Sequence, residues 1–183
     1  MYTQTNLKME KQDFVILVDE KDRIIGKMEK LDAHKIPTLH RAISVFIVNS
    51  KGEWLLQKRA FSKYHSNGLW TNTCCSHPFP GESNIQAANR RLMEEMGLSA
   101  ELNEIFHFIY KEKLDNELTE YELDHIFVGI TDKEPVININ EVVEWKYLKY
   151  EDLIDDLKLN PDSYTVWFKK IVTRVNEHLK IRL

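Results

Sequence analysis

Residues 71–98 read TNTCCSHPFPGESNIQAANRRLMEEMGL, and the backbone pattern changes in the middle of that stretch. In the first part a thiol and an imidazole, Cys75 and His77, stand two apart. Side chains alternate across a strand, so an extended 70–77 sends Cys75 and His77 to one side and Cys74 to the other. Pro78, Pro80 and Gly81 then break the chain. Ser83 is an N-cap candidate, and Gln86 three residues on completes a capping box. Ile85, Ala88, Leu92 and Met96 recur at helical spacing, and Gly97 is placed to end the helix in the left-handed region. The stretch therefore reads strand, turn, helix.

Upstream, Phe14–Val18 and Arg23–Met28 read as a hairpin. Glu29–Leu39 is polar, holds Pro37 and reads mostly as loop. Ala42–Val48 (AISVFIV) is the most apolar run and predicts a buried strand. A turn at Asn49–Gly52 returns it into Trp54–Lys58, with Arg59 at the end. Downstream, Phe106–Lys113 and Tyr121–Ile130 read as strands around a polar turn at Asp115-Asn116. A short strand follows at Glu144–Leu148, then helices over Tyr150–Leu157 and Ser163–Leu179. The order is β-rich, helix, β-rich, helix. It predicts an α+β domain with a mixed sheet and helices outside it.

The chain has 183 residues, 43% hydrophobic and 30% charged, a balance that supports one domain with a full core. Residues 1–12 are polar and are expected to form a flexible N-terminus, with one domain over 13–183. The formal net charge of −4 argues against a nucleic-acid binder, while leaving room for a local basic pocket. No apolar run approaches ~18 residues, so no membrane insertion is expected. Nor does the N-terminus carry an apolar signal core. The two cysteines are adjacent, a poor geometry for a disulfide. Free thiols fit a reducing, cytoplasmic location.

Several residue groups admit two readings each. His34, His40 and His77, taken singly, are ordinary core or surface histidines. Taken with Glu120-x-Glu122, whose members share a strand face, they form a set of imidazole and carboxylate donors suited to Mn²⁺, Mg²⁺ or Zn²⁺. Cys75 is either a packed small residue or a nucleophile or proton donor. Arg90 with Glu94 and Arg91 with Glu95 are either surface i,i+4 ion pairs or phosphate and cation ligands. Adjacent helix positions are about 100° apart, so at most one of Glu94 and Glu95 faces any one site. Lys30, Arg59, Lys63 and Arg91 would serve a diphosphate if they converge. Trp167 is either core or an aromatic face over a cation.

Glu82–Leu98 resembles the Nudix signature, with two departures. Ser76 stands at the signature glycine, and Arg91 at the first glutamate of its tail. The departures and the flanking pieces (His34, LHRA at 39–42, LQKRAFSK at 56–63, WTNTCCSHP at 70–78, Glu120-Tyr121-Glu122 and Trp167) resemble the type 1 isopentenyl-diphosphate delta-isomerases. That resemblance implies a Nudix-like α/β/α sandwich with a mixed β-sheet and flanking helices. It implies a 1,3-allylic proton shift interconverting isopentenyl and dimethylallyl diphosphate through a tertiary carbocation. Cys75 and Glu122 carry over as the acid–base pair. His34, His40, His77, Glu120 and Glu122 carry over as ligands of one divalent metal, Mn²⁺ or else Mg²⁺ or Zn²⁺. Glu95, with the Cys75 backbone carbonyl nearby, carries over as a ligand of a Mg²⁺ that meets the diphosphate. Lys30, Arg59, Lys63 and Arg91 carry over as diphosphate contacts, and Trp167 as the face over the cation. The competing expectations are a Nudix hydrolase of a diphosphate, which Arg91 disfavours, and a metal-stabilised binding module without turnover. The oligomeric state is left open.

Overall fold

The structure, a computed structural model, describes residues 14–114 and 117–182. The expected flexible segment 1–12 and the turn at Asp115-Asn116 lie outside the described residues. Among the described residues nine strands form one sheet: β1 Phe14–Val18, β2 Ile24–Glu29, β3 His40–Val48, β4 Trp54–Arg59, β5 Trp70–Thr71, β6 Cys74–Ser76, β7 Leu102–Lys113, β8 Thr119–Ile130 and β9 Val142–Leu148. The helices are α1 Lys30–Lys35, α2 Asn84–Met96, α3 Tyr150–Leu159 and α4 Val166–Arg182.

The apolar strand β3 is the centre. One of its edges pairs in parallel with β8 along its whole length, from His40↔Glu122 to Val48↔Ile130. Its other edge is shared by three strands: β1 at His40, β6 at Ile43–Val45 and β4 at Ile47–Val48. Alternation along β3 then fills both faces. Ile43, Val45 and Ile47 pack with Ala88, Leu92 and Met96 of α2. Phe46 and Val48 pack with Trp167, Phe168, Ile171, Val172 and Val175 of α4. Helices on both faces of a mixed sheet make the expected α/β/α sandwich.

Four sequence expectations change in detail. Glu29–Leu39 is not mostly loop. Glu29 accepts from the Asp32 N–H and starts the six-residue α1, which holds Lys30 and His34. Ile85 is exposed and Ala87 takes its place in the core, because α2 turns its second residue past the edge of the apolar stripe. β7 begins at Leu102, with a register shift between Glu104 and Phe106. The last helix begins at Val166, after a separate 3-10 turn at Pro161–Ser163. The capping box at Ser83 and Gln86 is formed, and Gly97 ends α2 at φ 64°.

The largest departure concerns residues 69–77, which are not one strand. After two paired positions β4 leaves β3, and Asn72 and Thr73, which join β5 to β6, reach into the gap between β3 and β4. The Thr73 hydroxyl donates to the Leu55 carbonyl at 2.7 Å and accepts from the Ile47 N–H at 2.8 Å. The Asn72 amide donates to the Cys74 and Val45 carbonyls. These side chains replace ladder bonds that the splay removes, and all of them are buried. Thr73→Val keeps the shape but leaves an N–H and a C=O unpaired in the core. It is expected to cost about 2–4 kcal/mol in equilibrium urea unfolding.

Candidate active site

The cavity that matters opens on the α4 face of the sheet, at the start of β3 and β8. Alternation places Ala42 and Ser44 of β3, and Glu120 and Glu122 of β8, along its floor. β6 adds Cys75, with His77 just past its end. Loop 60–69 adds Lys63, Tyr64 and His65, while α1 adds Lys30, α2 adds Arg91 and α4 adds Trp167. The two pairs that parity selected do meet: His77 Nε2 lies 2.8 Å from Glu122 Oε1. Cys74 points the other way, into the core beneath α2.

The hydrogen-bond pattern of the histidines is informative. His34 Nδ1 is 2.7 Å from the Lys30 carbonyl, and His40 Nδ1 is 2.8 Å from the Thr38 carbonyl. A carbonyl only accepts, so each Nδ1 carries a proton and each Nε2 is left to face the carboxylates. His34 Nε2 then faces Glu120 Oε2 at 3.2 Å, and His40 Nε2 faces Glu122 Oε1 at 3.5 Å. His34 Nε2, His40 Nε2 and Glu120 Oε2 have no hydrogen-bond partner among the described residues. Imidazole Nε2 atoms facing carboxylate oxygens in a buried site need a cation between them, a proton or a metal ion. The donor set fits a divalent metal: His34, His40, His77 and Glu122 offer ligand atoms within 4.8 Å of one another, as do His34, His65 and Glu120. The carbonyl behind each ring is the outer-shell support that orients metal-binding imidazoles.

Charge in the pocket is sharply divided. Burial, then the neighbouring Glu122 charge, push Glu120 up to about 7. Burial also acts upward on Glu122, but the contacts from His40 and His77 outweigh it and hold that carboxyl well below its usual range. Tyr110 Oη donates to Glu122 Oε2 at 2.6 Å. Burial pushes the Cys75 thiol up to about 12 despite the opposing charge of Arg59, whose Nη1 is 3.8 Å from Sγ. Loss of surrounding water, followed by the charges of Lys63, Arg91 and Arg59, lowers Lys30. The four cations named from the sequence therefore converge on one cavity.

Glu95 does not line that cavity. It is buried behind Arg91, which donates to its Oε1 at 2.6 Å, while Gln57 donates to Oε2 at 2.7 Å. Glu94, the other member of the pair, is turned outward and binds both Arg90 and Arg91. Trp167 sits in the wall, with Arg59 over its ring at 5.3 Å.

The NUDIX domain family matches residues 38–168. An isopentenyl-diphosphate Delta-isomerase of Pectobacterium atrosepticum is 48% identical over 164 residues, covering 90% of this chain and 92% of its own. Isopentenyl-diphosphate Delta-isomerase 2 of Photorhabdus laumondii is 51% identical over 160 residues, covering 87% and 90%. The chain belongs to the isopentenyl-diphosphate Delta-isomerase family.

Solved structures similar to this isomerase-family chain share its fold. A Deinococcus radiodurans protein superposes with a TM-score of 0.74 at 18% identity, over 88% of this chain and 98% of its own. A MutT protein from Methanosarcina mazei gives 0.64 at 19%, over 78% and 96%. At such identities the likeness is one of fold.

Four residues of this isomerase-family site were not singled out from the sequence. His65 lies 3.5 Å from Glu120 and stacks on His34 with ring centroids 5.8 Å apart. Burial and the Arg59 charge hold it down to about 2, a neutral ring. Tyr64 and Tyr110 wall the pocket. Glu141 bridges Lys63 and Arg91. His65 sits in a polar loop with no periodicity, and Glu141 follows a strandless segment, so spacing carried no signal for either. Tyr110 could have been found. It shares a face with Phe106 and Phe108 on β7 and is paired across to Glu122.

Proposed function

We propose that the chain interconverts isopentenyl diphosphate and dimethylallyl diphosphate by protonation at one carbon of the allylic unit and deprotonation at the other. The observation that carries this reading is the pairing of Cys75 and Glu122 in one cavity: a thiol that keeps its proton and a carboxylate that has lost its own. A proton shift needs one donor and one acceptor, with environments that push their pKa values apart. By microscopic reversibility each residue serves one carbon, donating in one direction and accepting in the other. Hydrolysis of a diphosphate needs no such pair.

The other residues prepare the substrate. Lys30, Arg59, Lys63 and Arg91 bind the diphosphate, and Arg91 is held in aim by Glu95 and Glu141. Trp167, with Tyr64 beside the histidines, excludes water that would trap a tertiary cation, and its ring face stabilises the positive charge. Tyr110 fixes the orientation of Glu122 through its hydroxyl. His34, His40, His77, Glu120 and Glu122 would hold a divalent cation, Mn²⁺ or else Mg²⁺ or Zn²⁺. When bound, it would supply positive charge that tunes and fixes Glu122. Glu95, with the Cys75 carbonyl, would hold a Mg²⁺ that accompanies the diphosphate, in exchange for its present contact with Arg91. No helix among the described residues is long and apolar enough to cross a membrane.

Incubation with isopentenyl diphosphate and Mg²⁺ in D₂O tests the reading. Dimethylallyl diphosphate carrying solvent deuterium is expected by mass spectrometry and proton NMR. Release of phosphate or pyrophosphate without isomerised product would instead identify a hydrolase.

A further inference from the structure

The opposite face of the same sheet carries a second histidine and carboxylate cluster, which the proton shift does not use. His125 of β8 is 4% exposed, and its cross-strand partner on β7 is His107, with ring centroids 5.3 Å apart. Glu104 would normally face away from His107, because residues three apart in a strand lie on opposite sides. The register shift between Glu104 and Phe106 inserts one residue and reverses that parity. Glu104, His107 and His125 consequently each offer a ligand atom within 4.8 Å of the others.

His125 is also held from behind. Its Nδ1 is 2.7 Å from Glu104 Oε1, and its Nε2 is 3.3 Å from Asp22 Oδ2. Nε2 is buried and has no hydrogen-bond partner among the described residues. Asp22 sits at a positive φ of 59° in the β1–β2 turn. There Arg41 anchors it twice, to the carboxylate at 2.8 Å and to the backbone carbonyl at 2.9 Å. A neutral imidazole has one N–H for two carboxylates, so one lone pair is left facing an anion. A cation on the Glu104 side removes that conflict and frees the N–H for Asp22, the carboxylate–histidine–metal arrangement of outer-shell support.

We propose that Glu104, His107 and His125 form a second site for a divalent transition cation of the zinc type, with Asp22 orienting His125. Two imidazoles and one carboxylate with an open position are a zinc-like donor set. The site lies across the sheet from the isomerase cavity and does not depend on that activity. Equilibrium dialysis of the full chain against Zn²⁺, with metal counted by elemental analysis, tests it. The wild type is expected to hold one equivalent more than His107→Ala or Glu104→Gln, both exposed positions. Asp22→Asn, which tolerates the left-handed turn, is expected to weaken that equivalent about 10–100-fold. Turnover of isopentenyl diphosphate with Mg²⁺ should be the same in wild type and His107→Ala. Equal zinc content in wild type, His107→Ala and Glu104→Gln overturns the proposal and leaves His125 as an imidazolium ion pair.

Discussion

Cys75→Ala is expected to lose isomerase turnover by about a hundred- to ten-thousand-fold, the usual contribution of a positioned acid or base, while folding and binding metal as the wild type does. The thiol lines the cavity but belongs to neither group of buried ligand atoms. Its removal therefore leaves the histidine and glutamate cluster intact. Alanine is smaller than cysteine and carries no polar atom, so at the boundary of the α4-side core it removes only the weak contact from Arg59 Nη1. The separation of effects is the informative part. Metal content by elemental analysis and thermal unfolding should match wild type while deuterium incorporation from D₂O into the product falls. Retained turnover would show that Cys75 is only packed, as Cys74 is. Loss of metal together with activity would place it in the structural scaffold.

Glu122→Gln is expected to reduce turnover by a similar factor even after metal is restored to the protein. Glu122 receives contacts from His40, His77 and Tyr110, so its carboxylate is the hub of the pocket. An amide cannot accept and return a proton at neutral pH, yet it preserves size and can still accept a hydrogen bond from Tyr110. The comparison with Glu120→Gln sharpens the test. Glu120 contacts His34 and His65 but does not share Tyr110. Its variant should lose activity that excess metal partly recovers, whereas Glu122→Gln should stay inactive at saturating metal. Substantial turnover by metal-loaded Glu122→Gln would remove Glu122 from the proton-transfer pair.

Strand parity is the reason so much of this site was legible beforehand. Cys75 was separated from Cys74 by a period of two, and the structure sends one to the cavity and the other beneath α2. Glu120 and Glu122 were paired by the same rule. The capping box, the αL glycine and the strand–turn–helix change at Pro78 to Ser83 are local chemistry, and they formed as read. The α1 turn was missed because its signal, a glutamate cap before six residues, is too short to rise above a polar loop. The splay of β4 from β3 was missed for a different reason. It depends on Thr73 and Asn72 reaching groups 18 to 27 residues away, and no local window contains both partners.

The family signature and its arginine departure lead to the expectation of an anion-handling helix and a metal-ligand set from residue order alone. Such an expectation can be formed because caps, periodicity and motif spacing are properties of neighbours in sequence. Convergence of Lys30, Arg59, Lys63 and Arg91 on one cavity, the outward turn of Glu94 against the burial of Glu95 behind Arg91, and the entry of His65 and Glu141 were decided only by the tertiary structure. These contacts join α1, loop 60–69, α2, β8 and the segment before β9. Which of them meet is set by how the sheet splays and how the two helix layers pack, and those are long-range effects of burial.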